Sequence, residues 1–257
     1  MNKIRLTILT IGLWAGLLGS SFASTNTVVK ALSFATDATY PPFETVLPSG
    51  ALQGFDIDVA NAICATLKVK CVFMNQPFDG LIPNLNIGKF DAIIAAMNIT
   101  QDRAKAVDFS KAYYKNTASI VANNATNFTI TPQGMKDKTI GVQQGTTLLQ
   151  YLKKTYGSNV KVKTYANAQT AFIDLTSGRV DAVMGDTPIM QQWLKEHGKG
   201  RYHFVGKPIS DTTYFGSGYG IAVKKGNKAT LNSINRALET LQKNGKLSQI
   251  EAKYFPR

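Results

Sequence analysis

The spacing of hydrophobic and polar positions along the chain alternates between a strand-like and a helix-like pattern, which indicates short strands that alternate with helices. Residues 90–97 are almost continuously apolar, and such a run is typical of a strand that is covered on both faces. Between Phe55 and Leu67 the apolar side chains recur at four-residue steps, which predicts one apolar stripe on a helix. The alternation of these two patterns predicts an α/β fold.

The same patterns divide the rest of the chain into further elements. The predicted strands are 28–36, 71–74, 90–97, 119–122, 139–143, 160–165, 180–184, 202–205 and 220–223. The predicted helices are 55–67, 78–87, 146–156, 168–176, 186 to about 195, a long one through 231–241 that closes at Gly245, and a short one that ends near Tyr254.

One pattern occurs twice. Residues 85–94 (LNIGKFDAII) match residues 175–184 (LTSGRVDAVM) at an offset of 90 residues, and in both copies a helix stops at a glycine and leads into a buried strand. The strand and helix before each copy also align, so two similar α/β lobes are the simpler interpretation, with a chance match as the alternative. The offset places Ala96 against Asp186, and both strand ends are then expected to face one cleft.

The first 23 residues have the pattern of a secretory signal peptide. Lys3 and Arg5 precede the apolar run 6–18, and residues 21–23 (SFA) supply a small-x-small cleavage site. The run is too short to span a membrane comfortably, and no cysteine follows the expected cut. We therefore expect an exported protein without a lipid anchor.

The formal net charge of +13 raises the question of an anionic partner. Nucleic acid and membrane surfaces both attract basic proteins. The lysines are spread along predicted helices and turns, and the sequence has no arginine-rich run, zinc pattern or aromatic RNA motif. A generally basic solvated surface is the better interpretation, and no nucleic-acid partner is expected.

The two cysteines, Cys64 and Cys71, lie seven residues apart. In an exported chain such a pair predicts a disulfide, here between the end of a helix and the start of the next strand. A metal site is not expected, because His197 and His203 are the only histidines and lie far downstream.

Polar residues follow the apolar strand at the point where ligands bind in α/β sheets. Asn98 and Arg103 are found there, and arginine suits a carboxylate because its planar donors form two parallel hydrogen bonds. The alternative is a surface arginine that pairs with Asp102 or Asp108.

Each of the other candidates also has an ordinary structural explanation. Asp186 precedes Thr-Pro and could cap a helix, and Asp37 could fold back on its own turn. Tyr40 and Phe78 could be core aromatics. The helix start at 145–147 offers free backbone N–H groups to an anion, but many helices begin in this way.

Together these residues belong to a series of motifs in a fixed order. The motifs are Asp37-x-x-Tyr40-x-Pro42-Phe43, Gly54-Phe55-Asp56-Ile57-Asp58, Phe78-Asp79-Gly80-Leu81-Ile82-Pro83, Ile99-Thr100-x-x-Arg103, Gly141-Val142-x-x-Gly145-Thr146-Thr147, Asp186 and Tyr214-Phe215-Gly216. In these motifs the chain resembles the periplasmic polar amino-acid-binding proteins of ABC importers, specifically the histidine and lysine/arginine/ornithine group. The resemblance is strongest to arginine-binding proteins, through segments 40–44, 185–187 and 218–223.

The resemblance implies a type II periplasmic-binding-protein fold. Each of two lobes would be a mixed sheet flanked by helices, and the lobes would close over a ligand about two crossover hinge strands. Lobe 1 is expected to hold residues 24–116 and 215–257, and lobe 2 residues 117–214. The Cys64–Cys71 pair also matches the disulfide of the family.

The resemblance further implies roles for individual residues. In that family an arginine at the position of Arg103 binds the ligand carboxylate, helped by backbone at the positions of Asn98 and Thr147. An aspartate at the position of Asp186 binds the α-ammonium group. Aromatics at the positions of Tyr40 and Phe78 enclose the ligand side chain, and an acid at the position of Asp37 meets its distal positive group.

Four positions depart from the lysine/arginine/ornithine pattern. Ala95 and Ala96 replace two serines, so hydroxyl contacts are lost while the Ala96 carbonyl can still accept a hydrogen bond. Asn98 replaces a serine or aspartate, and Gln143 replaces an aliphatic residue and offers an amide oxygen that suits a guanidinium.

Charge counting favours a cationic ligand. Asp37, Asp186 and Arg103 sum to −1 in the expected cleft, whereas arginine or lysine carries +1. A neutral amino acid would enclose Asp37 without a partner, at a cost of roughly 1–3 kcal/mol or more. Arginine is therefore the first choice, with lysine, ornithine and histidine as alternatives.

These observations predict a monomeric periplasmic receptor that passes a basic amino acid to a membrane-embedded ABC permease, without a cofactor or metal. One alternative is a dehydratase on the same fold, although no nucleophile–histidine–acid set is present in the sequence. Another is an extracellular sensory domain, although the sequence shows neither a membrane helix nor a kinase segment.

Overall fold

A computed structural model describes residues 31–198 and 200–256. The predicted signal peptide, 1–23, and the first three residues of the predicted strand 28–36 lie outside the described residues. The strands are β1 (Ala31–Thr36), β2 (Thr39–Tyr40), β3 (Glu44–Val46), β4 (Leu52–Gln53), β5 (Lys70–Asn75), β6 (Ala92–Ile93), β7 (Val107–Phe109), β8 (Ala118–Asn123), β9 (Lys138–Gln143), β10 (Val160–Tyr165), β11 (Ala182–Asp186), β12 (Tyr202–Ile209) and β13 (Ala222–Lys224).

Helices occupy most of the connections between these strands. They are α1 (Phe55–Leu67), α2 (Leu81–Asn86), α3 (Gln101–Ala106), α4 (Thr147–Tyr156), α5 (Ala168–Thr176), α6 (Thr187–His197), α7 (Thr212–Phe215), α8 (Lys228–Lys243) and α9 (Lys246–Tyr254). In the described part of the chain, no helix combines the length and apolar character that crossing a membrane requires.

Two five-stranded sheets form the centre of the fold. The first has the order β5-β1-β6-β13-β7 and the second β10-β9-β11-β8-β12. In the first sheet β1 is parallel to β5 and β6, while β13 is antiparallel to β6 and β7. In the second sheet β9 is parallel to β10 and β11, while β8 is antiparallel to β11 and β12. Both sheets are therefore mixed, and they have the same sequence of parallel and antiparallel neighbours.

The repeated sequence pattern has the same structure in both copies. Asp91 accepts a hydrogen bond from the backbone N–H of Ser33 at 2.9 Å, and Asp181 accepts one from the N–H of Thr139 at 2.7 Å. These contacts fix β6 beside β1 and β11 beside β9. The predicted repeat is thus a structural repeat, and it makes the carboxyl ends of β6 and β11 equivalent positions in the two sheets.

The chain passes from the first sheet to the second between β7 and β8 and returns between β12 and β13. The crossing segments are 110–117 and 210–221. The expected lobe boundaries, at 116/117 and 214/215, fall within these segments and stay a prediction.

Apolar faces of the helices cover the sheets. In α1 the buried side chains include Val59 and Ile63, which belong to the predicted stripe, and in α8 they include Ile234 and Leu238. Helix α1 packs against both α8 and α9. A disulfide joins Cys64 at the end of α1 to Cys71 in β5, as predicted.

Two predicted elements are shorter than expected. The predicted strand 90–97 pairs regularly only at Ala92–Ile93, because the backbone leaves the extended region at Ala96, where φ is 42°. The predicted helix 78–87 begins as a 3₁₀ turn over Phe78–Gly80 and becomes α-helical only at Leu81–Asn86. The small antiparallel sheet β2-β3-β4 was not predicted from the apolar pattern, because its strands have only two or three residues.

Candidate functional site

All ten residues that the sequence singles out as site candidates line one cavity between the two sheets. Four groups of them lie at strand ends: after β1, after β6, at the end of β9 and at the end of β11. This is where ligands bind in α/β sheets. The predicted lining residues are Asp37, Tyr40, Phe78, Ala95, Ala96, Asn98, Arg103, Gln143, Thr147 and Asp186, and Glu44, Thr146 and Leu148 complete the walls.

The Arg103 guanidinium is held at the cavity by backbone carbonyls from two different segments. Its Nη1 donates to the Asn98 carbonyl at 3.0 Å, and its Nη2 donates to the Gly145 carbonyl at 3.2 Å. The guanidinium carbon lies 5.3 Å from the centre of the Phe78 ring, within the range of a cation–π contact. Burial lowers the pKa of Arg103 to about 10, so the side chain stays cationic at neutral pH.

The alternative surface pairing of Arg103 is wrong. Asp102 pairs with Lys105 at 2.7 Å, and Asp108 pairs with Lys225 and Lys228, each at 3.0 Å. Both acids therefore have other cationic partners, and Arg103 is directed into the cavity.

Asp186 is a buried carboxylate at the end of β11. Its Oδ2 accepts from the Tyr40 hydroxyl at 2.7 Å, and its Oδ1 accepts from the Asn116 amide at 2.5 Å. Burial raises the pKa of Asp186 to about 6, although these donors act in the opposite direction. Asp186 precedes α6, but its side chain makes no capping hydrogen bond there. The interpretation of Asp186 as a helix cap only is therefore wrong.

Asp37 and Gln143 join the two sheets. The Gln143 Nε2 donates to Asp37 Oδ2 at 2.8 Å and to the Ala166 carbonyl at 3.2 Å. The other Asp37 oxygen accepts from the Thr39 hydroxyl at 2.8 Å, so Asp37 bonds its own turn and also reaches across the cavity. Burial raises the pKa of Asp37. The amide nitrogen of Gln143, rather than the oxygen expected to meet a guanidinium, makes these contacts.

Asn98 and Thr147 meet at the start of α4. The Asn98 Nδ2 donates to the Thr147 hydroxyl at 3.0 Å, while Asn98 Oδ1 is buried and has no partner among the described residues. Thr146 caps the helix, because its hydroxyl accepts from the N–H of Leu149 at 3.3 Å. An unpartnered buried amide oxygen beside a cavity indicates a place for water or a polar ligand.

Ala95 and Ala96 contribute mainly backbone to the cavity. Ala96 adopts a left-handed conformation, with φ 42°, and its N–H donates to Asp56 Oδ2 at 2.7 Å. The left-handed region costs a residue with a Cβ about 1–2 kcal/mol. The surrounding contacts must therefore hold this conformation in place.

The chain is similar to proteins of one known family. Residues 32–257 match the sequence model of the bacterial extracellular solute-binding proteins, family 3. The chain belongs to this family. The ABC transporter arginine-binding protein 1 of Escherichia coli K12 is 39% identical over 238 residues, which cover 93% of this chain and 96% of that protein. The L-arginine-binding protein of Pseudomonas aeruginosa is 41% identical over 229 residues, 88% of each chain.

A solved structure of another solute-binding protein has the same fold. It is a periplasmic binding protein of Salmonella typhimurium, described as the structural basis for high arginine specificity, with a TM-score of 0.83 and 38% identity. The match covers 88% of this chain and 99% of that one. The predicted type II fold is thereby confirmed. These relatives are solute-binding proteins rather than enzymes, so the dehydratase alternative is not favoured.

Several residues that shape the cavity were not predicted from the sequence. Glu44 and Thr146 lie in motifs that carry the resemblance to the family, so the sequence pointed to both, but neither was predicted to be a site residue. Leu148 follows Thr147 by one residue on α4 and contributes an apolar wall. Asn116 and Tyr219, which surround Asp186, lie in or beside the crossing segments, where no periodic pattern marks them.

Proposed function

We propose that this solute-binding protein captures a cationic L-amino acid, with arginine as first choice, and delivers it to a membrane-embedded ABC permease. The observation that carries the proposal is the composition of one cavity. A guanidinium, Arg103, and two buried acids, Asp186 and Asp37, line it together. A zwitterion with a cationic side chain has complementary groups for all three.

In this proposal the two ends of the ligand backbone are bound separately. Arg103 receives the α-carboxylate, because its fork of donors matches two carboxylate oxygens. The N-terminus of α4, at Thr147, and the backbone at Asn98 support the same negative group. Asp186 receives the α-ammonium group, and the Ala96 carbonyl is a second acceptor for it.

The ligand side chain would lie between Tyr40 and Phe78 and end at Asp37. A positive group there offsets the buried negative charge of Asp37. Glu44 also lines the cavity, but burial and the neighbouring Asp56 raise its pKa well above the ordinary value. A neutral Glu44 would leave the charge of the cavity at −1, which suits a ligand of charge +1.

Arginine is preferred over other cationic amino acids because similar proteins are described as arginine-binding or arginine-specific. Two curated relatives and one solved structure carry arginine in their descriptions, at 38–41% identity over most of their lengths. A lysine/arginine/ornithine-binding protein of Escherichia coli K12 is less similar, at 34%.

The remaining parts of the proposal concern the protein's setting. The lobes would be residues 24–116 with 215–257 and residues 117–214, hinged at the two crossing segments. Hinge closure around a ligand is a recognised type of domain motion. We propose a periplasmic monomer that is exported by the signal peptide 1–23.

A ligand panel tests the proposal. Purified protein, unfolded and refolded to remove co-purified ligand, is screened by thermal shift with the twenty amino acids, ornithine and citrulline. We expect arginine to give the largest increase in melting temperature, since a ligand that binds only the folded state stabilises it. Chemical conversion of the ligand during prolonged incubation, or no shift with any cationic amino acid, would refute the receptor proposal.

A further inference from the structure

A further buried acid lies behind the cavity wall. Asp56 is in the first turn of α1, is completely buried and does not line the cavity. Its Oδ2 accepts from the Ala96 N–H at 2.7 Å, and its Oδ1 accepts from the Tyr113 hydroxyl at 2.9 Å. A completely buried carboxylate is costly unless its acceptors are used, and here both oxygens are used.

Ala96 is the link between Asp56 and the cavity. It lines the cavity in a left-handed conformation that a residue with a Cβ rarely adopts. Its carbonyl oxygen receives no backbone N–H from the described part of the chain. The bond to Asp56 fixes the peptide group between Ala95 and Ala96, and this group begins the left-handed turn that decides where the Ala96 carbonyl points.

We propose that Asp56 is a positioning residue, which orients the backbone of Ala96 so that its carbonyl accepts from the α-ammonium group of the ligand. The proposal rests on the amino-acid-binding function proposed above. Asp56 would act without contacting the ligand itself, and this role is distinct from the packing of α1.

Glu44 completes this unit. It is 1% exposed, its carboxyl group lies close enough to that of Asp56 to raise its pKa, and its Oε2 has no hydrogen-bond partner among the described residues. Two adjacent ionised carboxylates would repel each other, so one of them must carry the proton. Burial, Asp56, Asp37 and Asp186 all raise the pKa of Glu44. A protonated Glu44 would leave the charge on Asp56, where the carboxylate accepts from Ala96 and Tyr113.

The test compares L-arginine with 5-guanidinopentanoate, which lacks only the α-amino group. Both ligands are titrated by calorimetry into the full mature protein and into Asp56→Asn. Asparagine replaces one of the two acceptor oxygens with an NH₂ donor and removes the negative charge, so the hydrogen bond that holds the Ala96 N–H becomes weaker. We expect the affinity for L-arginine to fall about tenfold or more and that for 5-guanidinopentanoate to change less than about twofold.

Asp58→Asn is the matched control, since Asp58 lies in the same helical turn but contacts Lys253 and Tyr254 instead. It should leave both affinities unchanged. Tyr113→Phe serves if Asp56→Asn does not fold. It removes the hydroxyl that holds the other oxygen of Asp56, at a residue that does not line the cavity, and it should weaken L-arginine more than 5-guanidinopentanoate.

The outcomes distinguish a failure of the positioning role of Asp56 from a failure of the proposed amino-acid-binding function. If the unaltered protein binds no amino acid, the proposed function fails and the positioning role fails with it. If it binds L-arginine but the substitutions weaken both ligands equally, Asp56 is only structural and this proposal is overturned. Unchanged arginine affinity in Asp56→Asn, or in Tyr113→Phe if Asp56→Asn does not fold, overturns it as well.

Discussion

Tyr40 and Asp186 stand 146 residues apart in the chain, and the Tyr40 hydroxyl donates to Asp186 Oδ2 at 2.7 Å. Tyr40 belongs to β2, beside the first sheet, and Asp186 ends a strand of the second sheet. The bond therefore depends on the two sheets being held close together. It also gives a buried carboxylate a donor that favours its charged form.

Arginine affinity should fall as the pH is lowered through about 6. Burial raises the pKa of Asp186 to about 6, and a protonated Asp186 no longer attracts an ammonium group. Calorimetric titrations between about pH 5 and 8 measure this dependence. Tyr40→Phe removes a donor to the carboxylate and should move the midpoint to higher pH. An affinity that is constant over this range would contradict the role of Asp186.

The stability of the ligand-free protein should change with pH in the opposite direction. Asp186 and Asp56 have folded-state pKa values of about 6, above the ordinary 3.8. Their contribution to stability is complete below the unfolded-state pKa and is lost as the pH rises through about 6. Asp108 and Asp174 have pKa values below the ordinary 3.8. The stability that they contribute is therefore lost only at more acidic pH, below about 3.8.

Urea unfolding at about pH 5 and 7 measures this effect. The free energy of unfolding should be larger at the lower pH, by up to about 1.4 kcal/mol per pH unit for each group. Asp186→Asn should reduce the difference between the two conditions. The same difference in Asp186→Asn as in the wild type would show that this carboxyl group does not titrate as described.

Arg103→Ala should abolish measurable binding of every α-amino acid. It removes the donors proposed for the carboxylate, which every such ligand carries, and a loss of at least about 100-fold is expected. Arg236→Ala is the matched control. Arg236 is exposed, and among the described residues its guanidinium donates a hydrogen bond only to the Ser233 hydroxyl. Calorimetry that still detects arginine binding to Arg103→Ala would refute the carboxylate role.

Asp37→Asn should weaken arginine much more than glutamine. The substitution removes the negative charge proposed for the distal group and leaves the backbone contacts of the ligand intact. Arginine affinity should fall about tenfold or more, and glutamine affinity should change little. Asp137→Asn, at an exposed position, controls for the general loss of one charge. Equal losses for both ligands would argue against the charge complementarity of the cavity.

Much of the fold could be predicted from local patterns. The offset between the two copies of the repeat placed Ala96 opposite Asp186, and both line the cavity. This succeeded because a buried strand that follows a glycine-capped helix is marked by composition alone. The left-handed turn at Ala96 was not predicted, since alanine gives no local sign of it, and the expected strand was therefore too long.

The partners of the site residues were harder to predict. Asp56 stands in a motif that was noted for the resemblance only, and its contacts with Ala96 and Tyr113 span 40 and 57 residues. Asn116 reaches Asp186 from a crossing segment without any periodic pattern. Such contacts depend on the tertiary arrangement, and neither hydropathy nor spacing records it.

The most direct test of the account is a crystal structure of refolded protein with L-arginine. We predict that the ligand carboxylate contacts Arg103, the α-ammonium group contacts Asp186, and the guanidinium lies at Asp37. A ligand bound outside this cavity, or bound in the reverse direction with its guanidinium on Asp186, would contradict the account.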